Sequence, residues 1–433
     1  MACAVCLAPL NTWGEAADPT YQHPLSWDTD GHEPVPVPVA DLHTVARRCD
    51  FCGDDRPLWT IVGGDVSIVG LATAGGFEHN YGTRWAACAT CEYWIATGKP
   101  DKVVERAAAA LHWADDHTGR AHIAKLHNTF LQGRQPGRTL ITTTAWPPTT
   151  ITARELPKIR DRLARLYHGP DLLPSRYGDP RSRATIADGL SRAGLYWVDE
   201  TFTDLSDHAA THLPDVTINR EDMPATDGLL VWHHPITSQQ ITAATWTTTH
   251  GGWQLITYRT TGAGLTGTIL QRVRENIGWL TPINTALVTE HGTLPGTDPS
   301  APLVATWLLI AQKVAETAPA DVDPGIRRAY ARANRPQPEV RVLRIRGHHH
   351  RAQDTDTSPG PATGRKLTSR VFVSGHWRNQ AYGKGRALRK PIYINPFLRG
   401  PDNLPIRQAT TVRVLGTARP TPTIDKGVTG HGG

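Results

Sequence analysis

The sequence predicts an α+β chain of several domains: an N-terminal module built around paired cysteines, a central α/β body, and a small C-terminal antiparallel β domain. Three observations predict it. All six cysteines fall within the first hundred residues, as three C-x2-C pairs. Helical and strand-like periodicities alternate through the middle of the chain. The final quarter combines short β-rich runs with a strong excess of basic residues. The boundaries expected are 1–100 for the cysteine module, 101–182 for a helical segment, 183–335 for the α/β body, 336–416 for the basic β domain and 417–433 for a disordered tail.

In chain order, residues 1–100 read as loops with short strands, and "PVPVPV" at 34–39 as an extended connector, because each proline disfavours helix in the residue before it. "WTIVGGDVSIVGLA" has room for a hairpin between the second and third cysteine pairs. From Val103 to about Gln132 the spacing is helical, in two pieces separated near Gly119. "TAWPPTTI" at 144–151 is a linker or strand edge. "LPKIRDRLARLY" at 156–167 is an amphipathic helix, and "RATIADGLSRAGLYW" at 183–197 is read as another. "GLLVWHHPI" (228–236) is a strand. "ITAATWTTT" (241–249) and "WQLITYRTT" (253–261) form a hairpin around His250-Gly251-Gly252. "PLVATWLLIAQKVAET" (302–317) is apolar on too many sides for a surface helix and reads as buried. "GIRRAYARANRP" is a short basic helix or the run-up to the last domain. From 336 onward, "EVRVLRIRG", "SRVFVSGHW", "KPIYINPF" and "TTVRVLG" read as four strands of one small sheet, with a polar loop at 351–366.

No apolar run is long enough for a membrane helix. "MACAVCLAPL" has no basic region followed by an apolar stretch, so a cytoplasmic location without membrane partners is expected. The basic residues are 37 Arg and 9 Lys; with abundant Ala, Gly and Pro, this points to a G+C-rich bacterial or phage genome. Charge is uneven: residues 324–433 carry 21 Lys and Arg against 5 Asp and Glu, and residues 1–323 carry 25 against 35. An acidic body with a basic end suggests contact with a polyanion at that end.

Cys49, Cys52, Cys88 and Cys91 have the spacing C-x2-C-x35-C-x2-C. Each pair brings two sulfurs together through a tight turn, and two pairs supply the four thiolates that a tetrahedral structural Zn2+ prefers. A thioredoxin-type redox pair would need a surrounding βαβ pattern, which neither pair has. A second Zn2+ is expected at Cys3, Cys6, His23 and His32, spaced C-x2-C-x16-H-x8-H, with His43 as a competing ligand. Four protein ligands leave no open coordination position, so both sites are structural. His233 and His234 are neighbours in a strand and are expected to face opposite sides, unable to chelate one ion. His348–His350 could bind metal as a triplet, but read first as a solvated cluster next to Arg346 and Arg351. There is no G-x-x-x-x-G-K-[ST], G-x-S-x-G or H-E-x-x-H motif.

The stretch "SGHWRNQAYGKGRALRKPIYINPF" is the candidate binding face. Arg378, Lys384, Arg386, Arg389 and Lys390 can meet phosphates, and Trp377, Tyr382 or Tyr393 can stack on bases. The stretch could instead be a structural turn, with Gly375 allowing tight backbone geometry and Trp377 plugging a small core; His376 with Arg378 could cleave RNA by acid–base and electrostatic assistance; and a further reading makes the chain a DNA-binding regulator.

Two resemblances add to this reading. "CDFCG…RWAACATC" is similar to the N-terminal segment of zinc-knuckle proteins from actinobacterial chromosomes, plasmids and phages. "LSRAGLYWVDETF", "MPATDGLLVW", "LVATWLLIAQKVAE" and "SGHWRNQ…KPIYINPFLRG", in that order over about 185–400, resemble the AcrVA-type anti-CRISPR family, specifically the larger inhibitor directed at the type V-A CRISPR nuclease. The resemblance implies a mobile-element protein with an α/β body and a basic β-rich end. It implies that such a protein binds RNA or a nascent polypeptide and lowers production of a target protein by promoting loss of its message. The zinc-bearing N-terminus is a departure from that family.

Overall fold

The computed structural model describes residues 1–13, 19–23, 30–38, 45–72, 75–237, 239–312, 315–346 and 371–399. The chain falls into two units, 1–347 and 348–433. The first begins with strands β1 (Ala2–Cys3), β2 (Asn11–Trp13), β3 (Thr20–Gln22), β4 (Pro36–Val37), β5 (Pro57–Val62), β6 (Ser67–Ala72), β7 (Gly75–Asn80) and β8 (Arg84–Cys88). Helices α1 (Ala89–Ala96), α2 (Pro100–Ala110) and α3 (Gly119–Gln132) and strand β9 (Thr139–Leu140) follow. The body contains α4 (Leu156–His168), α5 (Pro180–Arg192), β10 (Gly194–Val198), α6 (Glu200–Thr211), β11 (Val216–Thr217), β12 (Gly228–Ile236), β13 (Ile241–Thr249) and β14 (Gly252–Thr260). It ends with α7 (Gly267–Asn276), β15 (Leu280–Val288), β16 (Thr293–Leu294), α8 (Ala301–Ile310), β17 (Ala315–Pro319), α9 (Pro324–Arg332) and β18 (Val340–Ile345). In the second unit the described strands are β19 (Val371–Val373), β20 (His376–Tyr382), β21 (Leu388–Ile394) and β22 (Phe397–Arg399). The fold is mixed α+β, as the sequence predicts.

A seven-stranded sheet in the order β15-β14-β13-β12-β10-β18-β17 forms the centre of the first unit. Its pairings are antiparallel except that β10 runs parallel to both β12 and β18. Side chains alternate across it. Leu229 and Val231 face a core shared with Leu156, Ile159 and Leu163 of α4 and Ile186 and Leu190 of α5. On the other face the Trp232 indole donates to the Thr306 hydroxyl of α8, and Trp246 meets Trp307 of α8 edge-on at 5.3 Å. This explains why α8 is apolar all round: Ala301 to Leu309 are all buried. Gly228 lies opposite Trp246 in the β12–β13 register, and the indole occupies the space a side chain would need.

The structure corrects several local expectations. The hairpin expected within 59–72 does not form; β5 pairs with β8 and β9, while β6 pairs with β7. The backbone of Gly63 and Gly64 instead bonds to Thr83 and Phe130, which turns the chain away from β5. The helix read over 183–197 starts at Pro180, capped by the Asp179 carboxylate, and stops at Arg192; "GLYWV" is strand β10. The buried helix in 302–317 ends at Ile310, and Ala315–Pro319 adds an edge strand. "EVRVLRIRG" does not join a C-terminal sheet: its apolar alternation fits β18 beside β10, inside the large sheet. β19–β22 are the two arms of one ribbon, interrupted at 374–375 and 395–396. The fourth expected strand at 410–416, the loop at 351–366 and the tail at 417–433 lie outside the described residues. No helix among the described residues is long and apolar enough to cross a membrane.

Replacing Gly228 with Ala would place a Cβ 2.1 Å from the Trp246 ring. Gly228→Ala is expected to lower stability by about 1–3 kcal/mol through overpacking. A denaturant midpoint equal to that of the parent would contradict the β12–β13 register.

Candidate metal centres and candidate nucleic-acid interface

Two pieces of local backbone make the first cluster. At Cys49–Gly53 the chain turns tightly, with the Gly53 N–H donating to the Cys49 carbonyl at 2.8 Å and Gly53 at φ +74°, in the left-handed region where glycine carries no Cβ penalty. Cys88 is the N-cap of α1, and the Cys91 N–H points at the Cys88 Sγ from 3.4 Å. β5 joins the two pieces, because Pro57 pairs with Cys88. Asp50 fastens them directly: its N–H donates to the Ala86 carbonyl at 2.8 Å, and its carboxylate accepts from the Ala86 N–H at 2.5 Å. Burial pushes the Asp50 carboxyl up to about 6, against the opposing pull of that N–H and of Arg47. Beneath the turn, Trp85 and Phe130 stack at 4.1 Å between ring centroids, with Phe51 and His127 closing the same core. Burial lowers His127 to about 4, against an opposing pull from the charge of Cys52.

The four sulfurs of Cys49, Cys52, Cys88 and Cys91 lie within 4.8 Å of one another and all four residues are buried. Ligands held at about 2.3 Å in a tetrahedron are separated by about 3.8 Å; the Cys52 and Cys88 Sγ atoms are 3.8 Å apart. Hydrogen bonds from Cys49, Cys88 and Cys91 hold the Cys52 thiol far below its usual range. Burial raises Cys49, and hydrogen bonding to the other thiols raises Cys91. A divalent cation would replace the shared protons and satisfy all four sulfurs at once. Arg106 of α2 donates from Nε to the Cys52 Sγ at 3.3 Å and from its terminal nitrogen to Asp54 at 2.8 Å, offsetting charge on the cluster from outside it.

The second cluster repeats the design. Cys3 is paired through β1 and β4, and the Leu7 N–H donates to the Cys3 carbonyl at 2.9 Å. Leu7 takes the left-handed φ of +61° at the position that Gly53 occupies in the first turn. Cys3 Sγ lies 3.4 Å from His32 Nε2 and Cys6 Sγ lies 3.4 Å from His23 Nε2. A tetrahedral edge between one sulfur and one nitrogen ligand is about 3.5 Å. Burial alone would raise the Cys3 thiol; the backbone N–H groups of Val35, Cys6 and Val5 and the His23 ring outweigh it and hold Cys3 at about 5. The four ligand atoms again lie within 4.8 Å. His43 and His348–His350 lie outside the described residues.

Glu92, in the first turn of α1 directly after Cys91, is buried and ion-pairs with Arg138 and, at 3.5 Å, with Arg272 of α7. It ties the cysteine module to the body. Sequence reasoning singled out neither Glu92 nor Arg106. For Arg106 a signal was present, a cation at helical spacing from Lys102 just after the last cysteine pair, but its target is 54 residues away in sequence.

In the ribbon, directly opposed residues share a face. His376, Arg378, Gln380 and Tyr382 stand on one face with Lys390 and Leu388; Trp377, Asn379 and Ala381 stand on the other with Tyr393 and Arg389. Lys384 and Arg386 project from the turn between the arms, where Arg386 has φ +57°. The six residues expected to bind nucleic acid are therefore split: Arg378 and Lys390 on one face, Trp377 and Arg389 on the other, Lys384 and Arg386 at the tip. Trp377 packs edge-to-face on Tyr393 at 5.3 Å, and Tyr393 is buried with its hydroxyl against the backbone of Gly375. Tyr382, by contrast, is 41% exposed. His376 and Arg378 are both exposed; the His376 Nδ1–H donates to the Ser374 carbonyl at 3.0 Å, and Arg378 donates to Gln380.

Compared with protein-family models, with curated proteins and with solved structures, the chain matches none.

Metal analysis of the purified chain is expected to return two divalent ions per molecule, and Cys88→Ser to return one. Because ligand binding and folding are one free energy in such a module, Cys88→Ser should expose the N-terminal region to protease while the body stays protected. Metal-free, folded protein would contradict both clusters.

Proposed function

We propose that the chain is a zinc-stabilised binding protein that holds single-stranded RNA on its C-terminal ribbon. Zinc is the metal inferred, because buried thiolates and imidazoles in closed sets of four are the ligands of structural Zn2+. With no coordination position open for substrate, both ions serve the fold.

The observation that carries the RNA reading is the charge and layout of the ribbon. Residues 371–399 contain six Lys and Arg and no Asp or Glu. The register places Arg378 and Lys390 beside the exposed ring of Tyr382, with Lys384 and Arg386 just beyond at the tip. Cations that track a backbone beside an exposed ring are what a single strand needs, since every base has a face to stack. Trp377, engaged with Tyr393, supports the ribbon from its other face. A ribonuclease reading has less support: His376 and Arg378 lie on an open strand face, and no carboxylate stands within 371–399 to orient the ring. The resemblance over 185–400 would make the RNA the message of a target protein, as in an anti-CRISPR role; that extension rests on the resemblance alone.

Replacing Arg378, Lys384, Arg386 and Lys390 together with Ala should flatten the salt dependence of RNA affinity by about three units if each meets one phosphate. Tyr382→Ala should weaken binding by about 1–3 kcal/mol with an unchanged melting temperature. Trp377→Ala should instead destabilise the ribbon. RNA binding by the fourfold variant equal to the parent's at every salt concentration overturns the proposal. Tighter binding to duplex DNA than to single-stranded RNA would favour the DNA-regulator reading, and RNA cleavage lost in His376→Ala the enzymatic one.

A further inference from the structure

The strand β12 does not keep its alternation to the end. Val231 pairs with Ala243 and Ile236 pairs with Ile241, so Trp232–Pro235 stand opposite Thr242 alone. This bulge is wide, and Pro235 within it has no N–H to give to the ladder. The consequence is local and chemical. His233 and His234, which a regular strand would send to opposite faces, have their Nδ1 atoms 3.5 Å apart, with their rings nearly perpendicular at 88°.

We propose that His233 and His234 form a third metal site, for a divalent ion that favours imidazole, such as Zn2+. Two nitrogens at about 2.0–2.1 Å from a tetrahedral ion are separated by about 3.4 Å, close to the 3.5 Å observed. The ring of His234 is already set for this. Its Nε2 lies 3.2 Å from the Asp204 carboxylate of α6, which favours the tautomer that donates from Nε2 and turns the Nδ1 lone pair toward His233. A carboxylate behind a ligating imidazole fixes the tautomer and raises ligand basicity. His233 is held from two sides: its backbone N–H donates to the buried Thr203 hydroxyl at 3.1 Å, and its ring meets Trp197 edge-on at 5.7 Å.

The position in the fold agrees. The last β10–β12 pair is Val198 with Trp232, so the two histidines lie just past the carboxyl ends of the parallel strands, where α6 begins. That is where open α/β sheets place their ligands. His234 is 38% exposed, which leaves room for water to complete the shell. Two protein ligands hold an ion less tightly than the four of either cysteine cluster. The remaining positions are open to water or substrate, so this site, unlike the other two, has open coordination positions.

The test is calorimetric titration of Zn2+ into protein already carrying its two tightly bound ions, with His348, His349 and His350 replaced by Ala so that the triplet does not compete. One further equivalent is expected. His233→Ala and His234→Ala should each abolish it, with the two tight ions and the melting temperature of the two-ion protein retained. Asp204→Asn should weaken it about 10- to 100-fold. No third equivalent, or one that survives both histidine variants, overturns the proposal and leaves an N–H···N hydrogen bond between the rings.

Discussion

Four sulfurs from two places in the sequence must meet at one point, and the N-terminal third of the fold follows from that constraint. The Cys49–Gly53 turn can reach the start of α1 only if β5 and β8 pair, and that pairing sets the register at Pro57 and Cys88. The reciprocal Asp50–Ala86 bonds hold the junction, and the Trp85–Phe130 stack fills the space behind it. α1, fixed at its N-terminus by the cluster, presents Glu92 to Arg138 and Arg272. A local coordination problem is thus transmitted into the body. Buried ion pairs are weak contributors to net stability but strong penalties when broken, so Glu92 specifies how α1 meets α7 more than it stabilises the contact.

The same economy appears twice. The first turn uses Gly53 for its left-handed residue, and the second uses Leu7, at some conformational cost. The apolar side chain at Leu7 gains partial burial in return, in a module with little other core. Small modules of this kind bury too little apolar surface to fold on hydrophobicity alone, and a metal held by the four ligands would supply the remainder.

Both Cys/His groupings that the structure brings together were legible in the sequence, because C-x2-C pairs carry their own geometry. The strands of 228–261 and the helices of 156–167 and 324–332 were legible for a similar reason: their periodicity is local. What was not legible depends on partners distant in the chain. Nothing in "EVRVLRIRG" says that it inserts beside Gly194–Val198 and not beside the ribbon. "GLYWV" continues the apolar content of α5, and only the Ala193 break separates helix from strand. The His233–His234 geometry was misjudged because strand alternation assumes a regular ladder, and the bulge ends that regularity. In the ribbon, residue types were readable, but which of Trp377 and Tyr382 is exposed follows only from the register.

The residues that could hold metal lie toward one end of this chain, while the candidate function lies toward the other, on a ribbon with no acidic residue. The N-terminal clusters offer metal one four-sulfur site and one site of two sulfurs and two nitrogens. X-ray absorption at the metal edge of the purified protein tests it most directly. An average shell of about three sulfurs at about 2.3 Å and one nitrogen at about 2.0–2.1 Å per ion is expected. A shell dominated by oxygen and nitrogen, or one of sulfur alone at two ions per chain, would contradict it.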